Sequence, residues 1–244
     1  MLGTVLITGS AGRIGQAAVV ELKRSGWFVR GYDLAATPHA DESIVGDITN
    51  AELLQQAANG ADALIHLAAC PDDDDFHTKL LPANIVGVYE MFEAARLAGI
   101  NWVIVASSGQ VVWWQRFTGP IPISVDTPPS PRGWYACTKV FAEAAGRVYA
   151  QTYEADVIAV RLGWCPRTNK QAAELTATEW GHDVYLSTGD AGRLFVAALA
   201  APGPLGYRVV FAQSRPVRKA LVDLEPARTL GYEPQDQYPE GIEF

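Results

Sequence analysis

The sequence predicts an α/β fold built on a doubly wound parallel sheet, and three observations predict it. Short apolar runs alternate with longer helical patterns through the first half of the chain, which is how consecutive βαβ units read. Three glycines, Gly9, Gly12 and Gly15, stand between the first apolar run and the first helical pattern. With 244 residues, 49% of them hydrophobic, the chain can bury a large core, and an α/β sheet of this length commonly folds as one domain. The expectation is a single domain over 1–244 with a small C-terminal substrate-binding appendage, its substrate-side elements drawn mainly from 109–133 and 163–244.

Each element follows from its local pattern. Strands are predicted at Thr4 to Thr8, Trp27 to Tyr32, Ile44 to Val45, Ala63 to Leu67, Trp102 to Ala106, Val157 to Arg161 and Tyr207 to Phe211. The stretch from Arg13 to Ser25 puts Ile14, Ala17, Ala18 and Leu22 on one stripe, and Gly26 stops it as a C-terminal cap would. Asn84 to Ala98, Tyr135 to Tyr153 and Asp190 to Ala200 also read as helices. Between Gln110 and Arg132 the pattern fails, because Pro120, Pro122, Pro128, Pro129 and Pro131 exclude regular helix or central strand. Long ordered loops in compact domains often carry function.

Charge and cysteine usage narrow the function classes. A net charge of −8 disfavours a nucleic-acid backbone or an anionic membrane as partner, and a small molecule is expected instead; a homo-oligomer is left open. Cys70, Cys137 and Cys165 lie far apart with no CxxC pair, so neither a disulfide framework nor a zinc site is indicated. No apolar run approaches the roughly 20 residues of a membrane helix, and Met1 runs into a strand pattern with no signal-peptide leader. A soluble cytoplasmic protein is expected.

The glycine triplet makes the expected fold Rossmann-like, with a dinucleotide as ligand. Gly9 permits the tight turn, Gly12 lets a pyrophosphate approach the backbone and Gly15 lets the helix pack closely. The helix N-terminus adds N–H donors and partial positive charge. Asp33 closes the second strand, where a carboxylate can accept both ribose hydroxyls of adenosine and repel a 2′-phosphate. Leu34 and Ala35 supply no arginine for such a phosphate, although Arg13 and Arg30 are near, so NAD is expected over NADP. Arg13, Ile14 and Leu34 complete the expected contacts of this half.

Tyr135 and Lys139 are four residues apart, so a phenol and an ammonium project from one face of a helix. A nearby cation favours the phenolate and is expected to lower the tyrosine pKa, making it a general base for an alcohol proton. Ser107 and Ser108 end the fifth strand. Together with Gly9, Gly12 and Gly15, these residues resemble those of the extended short-chain dehydrogenases, the NAD-dependent epimerase/dehydratase family. Further support comes from Asp47-Ile48, His66-Leu67-Ala68-Ala69, Asn84 with Gly87, and Leu230 to Pro234.

The resemblance implies that Asp47 and Ile48 lie against adenine, that Leu67, Ala68, Ala69 and Asn84 border the cofactor, and that no metal is needed. Its position before Val111-Val112 selects Ser108 to hold the substrate hydroxyl. Tyr135 would remove the proton, Lys139 would bind the nicotinamide ribose, and hydride would pass to NAD. Within the family the likeness is greatest to uronate dehydrogenases, through Glu93 to Arg96, Val105 to Ser108, Val160 to Gly163, Cys165-Pro166 and His182-Asp183. Where those enzymes carry an Asn-His pair after the serine, this chain has Gly109-Gln110. Their carboxylate-binding arginine falls near Ala173 or Glu174, which leaves Arg167 and Lys170 as the cations of that loop. The expected substrate contacts are Ser108, Gly109, Gln110, Cys165 and Arg167, with a sugar or sugar acid as ligand.

The remaining features are weighed against plainer roles. His66, inside an apolar strand end, reads as a hydrogen-bonded structural residue. Asp72 to Asp75 with His77 suit a solvated helix entrance better than a cation site. Trp113, Trp114, Trp134, Trp164 and Trp180 suit either a sugar-binding wall or core packing. Two competing functions share the fold: an epimerase or dehydratase that keeps its NAD, and a non-catalytic dinucleotide sensor.

Overall fold

The structure, a computed structural model, describes residues 2–242. In chain order its elements are β1 (Thr4–Thr8), α1 (Arg13–Arg24), β2 (Phe28–Asp33), β3 (Glu42–Val45), α2 (Ala51–Ala58) and β4 (Ala63–His66). A wide helical segment, Phe76–Val86, runs directly into α3 (Gly87–Ala98). After β5 (Trp102–Ser108) come α4 (Gln115–Thr118), α5 (Trp134–Tyr153), β6 (Asp156–Leu162), α6 (Asn169–Ala177), α7 (Thr188–Ala200), β7 (Tyr207–Ala212) and α8 (Glu225–Arg228).

The seven strands form one parallel sheet in the order β3-β2-β1-β4-β5-β6-β7. Such a sheet is covered on both faces, so its central strands are apolar almost throughout. Val5, Leu6 and Ile7 are fully buried, as are Val103, Ile104 and Val105; side chains of this kind each contribute about 1.5–3 kcal/mol on burial. One face packs against α1 and α7 through Ala18, Val19, Leu22, Leu194 and Phe195. The other packs against α2, α3 and α5 through Leu54, Met91, Phe92, Ala142 and Tyr149. This is the doubly wound architecture that the alternating pattern predicts.

Differences from the expected elements have local causes. The wide segment before α3 uses i→i+5 bonding, as in Leu80 N to Asp75 O at 3.1 Å, and includes Pro82, which has no N–H to donate. The proline-rich loop holds a helical turn at 109–112 and the short α4, both too brief to leave a periodic signal. Strand order reverses between β1 and β4, and in open parallel sheets ligands bind outside the C-terminal strand ends at that point.

Candidate active site

At the C-terminal end of β1, Gly9 adopts φ +74°. A Cβ there would lie 2.4 Å from Ala68 N and 2.6 Å from Leu67 C, so glycine is what lets the end of β4 approach. A Cβ on Gly15 would lie 2.2 Å from Gly9 O, which ties that position to the packing of α1. Gly12 differs, because a Cβ there would meet only Gly9 O at 3.3 Å and otherwise point into open space. An exposed glycine at the mouth of a helix N-terminus is the cradle a pyrophosphate requires.

Asp33, at the end of β2, accepts a bond from Ala11 N at 2.9 Å and so sits against the glycine loop. Leu34 beyond it is exposed. Arg30 is engaged with Glu42 at 2.6 Å and with the carbonyls of Ala57 and Asn59, which removes it as a partner for a 2′-phosphate. Arg13 reaches toward Gly241 O at 3.4 Å and Cys165, and Ile14 borders the main cavity. Asp47 accepts from Thr49 N at 2.9 Å and from its hydroxyl at 2.7 Å, which holds the carboxyl below its usual range. Ile48 is buried against Gly87. These residues fit a dinucleotide laid across the strand ends.

Beyond the switch point, Asn84 fixes the turn after β4. Its Oδ1 accepts from Cys70 N at 2.7 Å, while Nδ2 donates to Cys70 O and to Thr138 Oγ1, each at 3.0 Å. The Thr138 hydroxyl donates onward to Tyr135 O at 2.7 Å, which links this turn to α5. Ala69 lies in the same turn. His66 Nδ1 pairs with Thr8 Oγ1 at 2.7 Å, but its Nε2 is buried without a partner. The ring is therefore only half satisfied, and burial beside Lys139 holds its pKa down at about 3.

The two serines that end β5 divide their tasks. Ser107 Oγ donates to Glu143 Oε1 at 2.6 Å, whereas Ser108 Oγ accepts Gln110 N at 3.2 Å and faces the cavity. Glu143 also takes a two-pronged ion pair from Arg161 at 2.8 and 2.9 Å, with both side chains buried. Tyr135, one residue into α5, has its backbone N–H held by Asp73 Oδ1 at 2.8 Å. Lys139 is 4% exposed; its Nζ donates to Ala106 O at 3.1 Å and lies 5.6 Å from the centre of the Tyr135 ring.

The electrostatics correct one expectation. Burial, with Asp72 adding to it, pushes the Tyr135 phenol up to about 12, against the smaller opposing pull of Arg167 and the Ser108 hydroxyl. Lys139 does not lower it as the spacing suggests. Burial in turn lowers the Lys139 amine to about 8. In this dry corner the cost of isolating each charge exceeds the attraction between them.

Ser108, Gly109, Gln110, Tyr135, Cys165 and Arg167 line one cavity of about 590 Å³, a size suited to a small ligand. Arg167 crosses it to form an ion pair with Asp72, which also accepts from Gln171 Nε2 at 3.2 Å. The acidic run is thus divided: Asp72 faces the cavity, Asp73 holds the start of α5 and Asp75 caps the wide helix through Thr78 N at 2.8 Å. Lys170 is exposed and lies 3.9 Å from Glu174. Trp113, Trp164 and Trp180 line the cavity, whereas Trp114 and Trp134 are largely exposed. Arg116 and Arg132, which the sequence pattern does not single out, line it too.

Comparison with known proteins gives the family and relatives of the chain. Residues 5–164 match the model of the NAD dependent epimerase/dehydratase family. An L-arabinose 1-dehydrogenase (NAD(P)(+)) of Haloferax volcanii is 28% identical over 256 residues, covering 96% of this chain and 97% of that protein. An NAD-dependent glucose-6-phosphate dehydrogenase of the same organism is 30% identical over 260 residues, covering 97% and 94%. The crystal structure of uronate dehydrogenase from Agrobacterium tumefaciens superposes with a TM-score of 0.79 at 26% identity, covering 97% of this chain and 86% of that one. By the family-model match, which spans more than half of its length, the chain belongs to the NAD dependent epimerase/dehydratase family.

Proposed function

We propose that the protein is an NAD-dependent dehydrogenase that oxidises a hydroxyl of a free sugar or sugar derivative. The observation that carries this reading is the convergence of Ser108 and Tyr135 on a cavity that reaches Ile14 of the glycine motif, with Lys139 buried behind the Tyr135 ring. NAD, when bound, accepts the hydride from the hydroxyl-bearing carbon. Gly12, Asp33, Asp47 and the 67–69 turn would hold it, with Gly9 and Gly15 shaping the loop and Asn84 fixing that turn from within. Ser108 Oγ would position the substrate hydroxyl and Tyr135 Oη, as the phenolate, would take its proton; the positive charge that oxidised nicotinamide brings favours that phenolate over the protonated phenol of the cofactor-free site. Lys139, fixed by the Ala106 carbonyl, would meet the nicotinamide ribose. Gln110 and Cys165 form the near wall, and Arg167 with Asp72 forms a charge-matched section of the far wall.

The test is NADH formation with hexuronates, glucose 6-phosphate and L-arabinose, using the parent protein and Tyr135→Phe. At least one sugar should reduce added NAD, and removing the phenolic oxygen should lower turnover by about 10²- to 10⁴-fold while NAD binding changes little. Failure of every sugar, or near-parental turnover by Tyr135→Phe, would refute the reading.

A further inference from the structure

The cavity carries a charge arrangement that proton and hydride transfer do not use. Six ionised side chains line it: Asp72, Asp73, Glu174, Arg116, Arg132 and Arg167. Four have partners already, namely Asp72 with Arg167, Asp73 with Tyr135 N and Glu174 with Lys170 outside the cavity. Among the described residues, no carboxylate lies within ion-pair distance of Arg116 or Arg132. Two unmatched guanidiniums therefore share one wall of the cavity.

Aromatic rings hold them there. The indoles of Trp113 and Trp180 stand at 89° with centres 5.1 Å apart. Arg116 Cζ sits in that corner, 3.3 Å from the Trp113 centre and 3.5 Å from the Trp180 centre. Arg132 Cζ is 4.4 Å from the same Trp113 ring. Because the two rings stand at 89°, one lies along the face of the Arg116 guanidinium and the other meets an edge, which leaves the N–H groups of its remaining edge to donate in plane. Arg116 Nε is buried with no hydrogen-bond partner. Burial and the neighbouring Arg132 charge both disfavour its protonated form, pulling its pKa down to about 10. An anion between the two guanidiniums would relieve that repulsion and satisfy those donors.

We infer that Arg116, with Arg132 beside it, receives the anionic group of the substrate, so that the sugar is an anionic monosaccharide bearing a carboxylate or a phosphate. The inference rests on the dehydrogenase reading above and deepens it. Arg167 is already matched by Asp72, and Asp73, which meets only the backbone N–H of Tyr135, leaves an uncompensated negative charge on the opposite side of the cavity. Opposite signs on the two walls orient the sugar with its anion toward the 109–133 loop. The cation that recognises the substrate thus comes from the segment between β5 and α5.

The experiment measures steady-state NADH formation at saturating NAD with D-glucuronate, glucose 6-phosphate and L-arabinose, using the parent, Arg116→Ala and Arg116→Lys. The parent should prefer one of the two anionic sugars, and which one distinguishes carboxylate from phosphate. Loss of a charge-assisted contact should raise KM for that sugar by about 30-fold in Arg116→Ala, with kcat within about threefold. KM for L-arabinose should stay within about twofold, and Arg116→Lys should recover part of the loss for the anion alone. A parent that prefers L-arabinose overturns the inference and leaves the dehydrogenase reading standing. So does an equal rise in KM for all sugars, which marks Arg116 as a packing strut. No NADH from any sugar refutes the dehydrogenase reading itself. Should Arg116→Ala fail to fold, Arg116→Lys and Arg132→Gln decide, since either must weaken the anionic sugar selectively.

Discussion

Lys139 is expected to make the cofactor-free protein less stable than it would be without the charge. Its amine is 4% exposed and bonded to the Ala106 carbonyl, and burial brings its pKa from 10.5 to about 8. A drop of roughly 2.5 units at about 1.36 kcal/mol each penalises the charged form by about 3 kcal/mol. Lys139→Met keeps the chain length and removes the charge, at a cost of about 1 kcal/mol for the carbonyl that loses its donor. The net gain near neutral pH is about 2 kcal/mol, or about 4–8 °C in Tm for a chain of this size. The sign with pH follows from the lowered folded-state pKa. Below pH 8 both states are protonated and the penalty is complete; between about 8 and 10.5 the unfolded state binds more protons, so the parent gains stability as pH rises. The gap between variant and parent should therefore close over that window. Thermal and urea denaturation of both proteins without cofactor, from pH 6 to 10.5, measures it. A Lys139→Met protein less stable than the parent at pH 7, or a gap that ignores pH, would show that burial is not what sets the amine's energy.

The cofactor half gives two further expectations. NAD should bind more tightly than NADP, and Asp33→Ala should weaken NAD by about 10- to 100-fold through loss of a charged acceptor while narrowing the ratio; equal NADP binding to the parent in calorimetric titrations would remove the argument. Gly12→Ala and Gly15→Ala should separate binding from folding. The Gly12 Cβ meets one atom at 3.3 Å, so that variant should melt near the parent and lose NAD affinity. The Gly15 Cβ would press within 2.2 Å of Gly9 O, so that variant should lose both, and two variants with the same melting temperature would contradict the assignment.

The parts legible in the sequence are those whose physics is local or periodic. Buried parallel strands such as Val103 to Val105 read as unbroken apolar runs, and the glycine loop and the Tyr135/Lys139 spacing lie within single turns of chain. The helix α6, whose sequence is polar apart from a few residues such as the buried Leu175, gave no stripe to read. The cavity wall at Arg116 was hidden for a different reason. Arg116 lies in α4, too short to show a period, and finds its place by meeting Trp180, and Asp72 meets Arg167 across 95 positions. Nothing local distinguishes Trp113, which lines the cavity, from the exposed Trp114. The phenol's raised pKa was equally unreadable, because spacing reports which charges are near and not how much water has been excluded.

The buried Glu143–Arg161 pair has a consequence for how the enzyme can change. Glu143 stands one turn beyond Lys139 and two beyond Tyr135, and it grips β5 through Ser107 and β6 through Arg161. This clasp sets the distance between the helix that carries Tyr135 and the strand that carries Ser108 without help from any ligand. A new ligand could thus be accommodated by redrawing the loops around the cavity, while Tyr135 and Ser108 keep the spacing that the dry interior dictates.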